Sequence, residues 1–159
     1  MTMPPTTSKP ISLKRPLVSV WTVLSVTDLK TEDEVLAAIG DGRLLWAFNI
    51  AGKKAKRALV RVLAVSVYNF VEGRQPPTIS EEEQWKQVQR MIFPTPGLAS
   101  IPAKDIVLAW NTSGTHILNL CDEGLLRLAK GTRRHSGKHG SPQVEYQSAV
   151  DFLRTRRVF

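Results

Sequence analysis

The 159-residue sequence holds a single cysteine, Cys121, so no internal disulfide is available and the chain suits a reducing compartment. No apolar run approaches the roughly 20 residues that a bilayer-spanning helix needs. Met1 to Pro16 carry Pro, Thr, Ser and Lys in place of an apolar leader, so this segment is expected to be a disordered arm and the protein cytoplasmic. The GxxxxGK[ST], GxSxG, HExxH and paired-cysteine patterns are all missing, and the scattered carboxylates have no evident partner. No enzymatic activity and no cofactor are therefore expected. His135 and His139 supply half of a zinc ligand set, but without a cysteine pair no metal site is expected. His116 and Cys121 lie five positions apart, on different sides of a helix, and make no catalytic dyad.

Acid is also in short supply. Lys and Arg together number 22 against 14 Asp and Glu, a net charge of +8, which is the electrostatic footprint of a polyanion binder. Anionic membranes and acidic proteins would answer the same balance, so the pattern along the chain has to decide.

Two apolar-periodic blocks, Leu17 to Arg74 and Ala99 to Phe159, are separated by a stretch with Pro76, Pro77, Pro94, Pro96 and Gly97. Within that stretch Ser80 and Glu83 form a capping box, and Glu81, Glu82 and Glu83 suit the positive end of a helix dipole. A helix to about Phe93 follows, with Trp85, Val88 and Ile92 on one face, placed to pack on a domain or on a partner subunit.

The second block repeats the first at a constant offset of 82 residues, without a gap. Leu36 matches Leu118, Gly42 matches Gly124, Leu44 matches Leu126 and Ala47 matches Ala129; Val62, Ser66, Phe70 and Arg74 match Val144, Ser148, Phe152 and Arg156. Each block reads as two helical segments, a glycine, a strand, a basic loop, a second strand and a closing helix. In the second block Ile106, Ala109 and Trp110 form the inner face of the first helix, and Asn111-Thr112-Ser113 is a turn able to cap the next. Ile117 and Leu120 face the core, with Cys121 read as a small core residue, and Gly124 allows the left-handed turn that reverses the chain. Leu125, Leu126 and Leu128 begin a strand, Gly131 to Pro142 makes a hairpin tip, Val144 and Tyr146 return, and Ser148 caps a helix with Val150, Phe152 and Leu153. The first block follows the same course, with Thr31 as cap, a strand from Leu44 to Ile50, a loop from Ala51 to Ala58, and Ser66 opening a helix through Phe70. Trp21, Trp46, Trp85 and Trp110 fall in apolar patterns and are read as core, not as base-stacking platforms.

The spacing from Ile101 through Ile106, Trp110-Asn111-Thr112-Ser113, Ile117, Leu120, Gly124 and Leu126, followed by the basic loop and Ser148 to Phe152, resembles the excisionase and MerR-like winged-helix class. The resemblance spans about 55 residues in each half and is better in the second. It implies an α+β, mostly helical protein with two tandem winged helix-turn-helix domains: an arm over 1–16, domain 1 over 17–75, a helical connector over 76–98 and domain 2 over 99–159. It further implies sequence-directed binding of double-stranded DNA by the second helix of the unit in the major groove, aided by the wing.

The opening of that helix in the second block, Ser113, Gly114, Thr115 and His116 with Asn119 a turn later, offers small polar groups for phosphates and base edges. The wing from Gly131 to Gly140 contains Arg133, Arg134, His135, Lys138 and His139 and no acid, and suits phosphates or a narrow minor groove. The first wing has Lys53, Lys54, Lys56 and Arg57, with Arg61 beyond, again without acid. The first block departs from the family at its second helix, where Glu32, Asp33 and Glu34 would repel phosphates. That half is expected to act as a pairing module or to touch DNA only with its wing, and a homodimer or partner protein would attach through it or through the connector helix. If both halves touched DNA, half-sites about one helical turn apart would follow. Transcription control, replication, partition and recombination all fit. Two other readings stand beside these: a protein-interaction adaptor, and a small DNA-recruiting subunit of a phage packaging or replication complex.

Overall fold

Among the described residues, four helices start at a hydroxyl residue that caps them, Ser19, Thr31, Ser80 and Ser113. The computed structural model describes residues 15–74, 78–93, 99–129 and 142–158. The first half contains β1 (Leu17–Ser19), α1 (Val20–Val26), α2 (Glu32–Gly40), β2 (Ala47–Asn49), β3 (Val60–Leu63) and α3 (Ala64–Glu72). A connecting helix α4 (Glu81–Ile92) leads to β4 (Ser100–Pro102), α5 (Ala103–Trp110), α6 (Gly114–Asp122), β5 (Gln143–Glu145), α7 (Tyr146–Thr155) and β6 (Arg157–Val158). The protein is thus α+β and mostly helical among the described residues. None of these helices is long and apolar enough to cross a membrane. Thr31, Ser80 and Ser113 cap α2, α4 and α6, each hydroxyl accepting the backbone N–H three residues on, as their sequence positions predict.

The offset of 82 carries over into geometry. Helices α2 and α6 are displaced by 82 positions at both ends (114 − 32 and 122 − 40). Gly42 and Gly124 follow them with φ of 84° and 77°, the left-handed region that glycine enters without steric cost. After each glycine two successive N–H groups converge on one carbonyl, Ala38 in the first half and Leu120 in the second. Ser66 and Ser148 are both buried.

Several local expectations are corrected. Ser66 and Ser148 do not cap helices: α3 and α7 begin two residues earlier and have no side-chain cap. Each start is tied instead to the strand that opens its half: the Ala64 N–H donates to the Pro16 carbonyl just before β1 and the Tyr146 N–H to the Ala99 carbonyl just before β4. Ser148 instead accepts from the Arg127 N–H at 3.1 Å and donates to the Glu145 carbonyl at 2.9 Å, tying a loop to the helix. The strand expected over Leu44 to Ile50 is confined to β2, since Trp46 has φ 65° and an extended run cannot pass through it. The strand expected to begin at Leu125 is reduced, over the described residues 125–129, to an isolated bridge from Leu128 to Val144. Trp21 is not core: it is 80% exposed on α1, whereas Trp46, Trp85 and Trp110 are buried.

The halves are joined into one body. The larger sheet has the order β1-β3-β2-β6 with all neighbours antiparallel, so the last strand of the chain extends the sheet of the first half. The second half keeps a two-stranded pair, with Ile101 opposite Val144. One apolar cluster has its buried residues, among them Val23, Val35, Ile39 and Val62, in the first half, and Val158 of β6 packs against it. The larger one draws Phe48 and Ile50 from the first half, Trp85, Val88 and Ile92 from α4, and Ile106, Trp110 and Leu120 from the second. The apolar face of α4 is therefore covered within the chain. Trp46 is the hub: its ring stacks on Trp85 at 5.6 Å, lies under the Arg157 guanidinium at 3.7 Å, and its N–H donates to Gln84. These contacts offset the roughly 1–3 kcal/mol that a bulky residue at positive φ costs. Glu81 pairs with Arg157, and Glu82 with Arg154 at 2.9 Å, so the acidic opening of α4 holds down the C-terminal segment.

Candidate nucleic-acid interface

Hairpin β2–β3 carries the first basic loop, and Asn49 closes its neck by accepting the N–H groups of Ala51 and Leu59, both at 3.0 Å. Beyond the neck Lys53, Lys54, Lys56 and Arg57 are exposed. None of the four side chains has an ion-pair partner among the described residues, whereas Arg43, Arg74, Lys86, Arg127, Arg154 and Arg157 each pair with a carboxylate.

This loop is held against α6 of the other half. His116 Nε2 hydrogen-bonds the Ile50 carbonyl at 2.6 Å, and the Glu123 carboxylate accepts the Lys53 N–H. A Cβ on Gly52 would lie 2.5 Å from Glu123 Oε1, so a larger residue there would make the Glu123 side chain shift. His116 and Glu123 are seven residues apart and share one stripe of the helix. Ile117 and Leu120 point to the core, which leaves Thr115 and Asn119 exposed beside the loop, with Asp122 on the same outer face.

The turn between α5 and α6 is braced from the first half as well. Arg61 follows the basic wing in the sequence, but its guanidinium is turned inward and donates to the carbonyls of Trp110 at 3.2 Å and Asn111 at 3.0 Å. A cation at the carbonyl end of α5 also meets the negative end of its dipole. Burial lowers the Arg61 pKa from the ordinary arginine value. Asn111 takes the left-handed conformation, φ 54°, and its side-chain oxygen accepts from Arg15.

Of the residues singled out in the sequence, Ser113 is the α6 cap, Thr115 and Asn119 are surface groups, and His116 is half-buried in the contact with Ile50, not free for a base. Lys53, Lys54, Lys56 and Arg57 are exposed on a loop that is bonded to α6 through the Ile50 carbonyl and the Lys53 N–H. Arg133, Arg134, His135 and Lys138, with His139, lie outside the described residues. Nothing in the sequence marks the Ile50 carbonyl, Gly52, Glu123 and Arg61 as bracing elements, since their partners lie 49 to 70 positions away. At the positions matching Thr115, His116 and Asn119 the first half has Asp33, Glu34 and Ala37. Glu34 is engaged locally, its carboxylate accepting the Lys30 N–H, while Glu32 and Asp33 are exposed.

Elsewhere a groove of about 730 Å³ opens between α3, α4 and the turn after α2, lined by Leu45, Phe70, Val88 and Met91 with Arg43 and Arg74 at its edges. Compared with family models, curated proteins and solved structures, the chain matches none.

Proposed function

We propose that the chain binds double-stranded DNA, with the outer face of α6 in the major groove and the loop 51–58 on phosphates. The observation that carries this is a cluster of charge: four exposed loop cations without an ion-pair partner follow one another on a loop bonded to α6, whereas among the described residues Arg43, Arg74, Arg127, Arg154 and Arg157 are each paired with a carboxylate. Such a patch binds a polyanion by releasing its counterions, and Thr115 and Asn119 add groups that can bond base edges. The β-α-α-β-β-α order of the first half and the matching bounds of α2 and α6 support the winged helix-turn-helix part of this reading, while its excisionase-like or MerR-like character rests on the sequence resemblance alone.

The test is fluorescence anisotropy of a labelled random duplex between about 50 and 200 mM salt. About six neutralised phosphates would give a logarithmic salt slope near −5, and replacing Lys53, Lys54, Lys56 and Arg57 together by Ala would flatten it by about 3 to 4. No appreciable affinity at the low-salt end would remove DNA from the reading. A protein-interaction adaptor would behave in that way, and the open groove beside Phe70 and Met91 is the feature that favours this second reading.

A further inference from the structure

The two halves share a plan but offer unlike faces to a duplex. At the opening turn of α2 stand Glu32, Asp33 and Glu34, where α6 has Gly114, Thr115 and His116. The hairpin loop that belongs by chain order to α2 is bonded to α6 at two points, through His116 with Ile50 and Glu123 with Lys53. Pairing of β6 with β2, and the Arg61 bracket on the end of α5, tie the halves at two further places, so neither half is free to swing out and reach a separate groove.

We infer that one chain occupies a single continuous stretch of duplex, in which the first half lends its loop to α6 as a backbone clamp while α2 stays off the DNA. This rests on the DNA-binding reading above and replaces the bipartite site that two equivalent units would read. A loop of the other repeat serves α6 across the interface. The duplication has thus become a division of labour, with base reading in the second half and phosphate clamping and bracing in the first.

The experiment uses the full chain and a duplex that it selects itself from a random pool. Hydroxyl-radical footprinting should show one protected segment of about one helical turn or less, and Glu32→Gln/Asp33→Asn should bind within twofold of wild type with an unchanged salt slope. His116→Ala/Glu123→Ala, which removes both bonds between the loop and α6 and leaves every loop cation in place, should weaken binding several-fold, in spite of the acid lost, while the circular dichroism spectrum stays the same. Two protected segments with centres about 10 base pairs apart, or a gain of tenfold or more on neutralising Glu32 and Asp33, would overturn the single-site inference and leave DNA binding standing. Failure to retain any duplex at low salt would overturn both.

Discussion

Replacing Trp85 by Ala tests whether the two halves are one cooperative body. The side chain is 4% exposed, stacks on Trp46 at 5.6 Å and meets Phe48 at 6.2 Å, and its cluster extends to Ile106, Trp110 and Leu120 across the repeat boundary. Burying an aromatic of this size removes on the order of 200 Å² from water. At about 25 cal/mol per Å² that is roughly 5 kcal/mol, in line with the 3–5 kcal/mol usual for large-to-small aromatic changes in cores. A loss of about 4 kcal/mol is a large share of the 5–15 kcal/mol that holds a domain folded. With a urea m-value of about 2 kcal/mol/M the midpoint should fall by roughly 2 M. The assay is urea unfolding followed by circular dichroism and by amide exchange at Val35 and Ile39 in the first half and at Ile106 and Ile117 in the second. Both sets should lose protection together and by the same free energy. If the first-half amides kept their protection while those of the second half lost it, the cluster would not be coupling the halves.

Other expected outcomes follow from single positions. Gly124→Ala should cost about 1–2 kcal/mol through backbone strain alone, because its φ is 77° and nothing lies within 4 Å of an added Cβ; thermal unfolding of the variant checks this. Ser148→Ala strands the Arg127 N–H and should cost about 1 kcal/mol, with faster exchange of that amide as its signature. Thr115→Ala and Asn119→Ala should change the ratio of selected to random duplex affinity by about 1–3 kcal/mol for each base-edge interaction they remove, and equal weakening on both duplexes would demote them to positioning residues. Burial raises the Tyr146 pKa above the ordinary value of 10.0, so its neutral form is favoured in the fold. The stability this contributes is complete below about pH 10 and is lost as pH rises through the raised value; the tyrosinate absorbance missing from Tyr146→Phe should emerge later than that of free tyrosine.

Features that depend on neighbours in the chain are legible in the residues themselves. Caps at Thr31, Ser80 and Ser113, the glycine turns and the buried stripe of α4 all rest on interactions three to four residues long, and the repeat at offset 82 reappears in the helix bounds. Trp21 shows the limit: an apolar pattern places a side chain on a face but not against a partner, and this face has no cover among the described residues.

Composition and pattern alone thus determined the repeat at offset 82, the helix starts at Thr31, Ser80 and Ser113 and the excess of positive charge, because propensity, capping and periodicity act over a single turn or strand. Only the tertiary structure decided where the first basic loop rests, that His116 and Arg61 turn inward, and that the last strand joins the sheet of the first half. Those outcomes hang on hydrogen bonds and strand pairings between residues dozens to over a hundred positions apart, whose registers no local preference specifies.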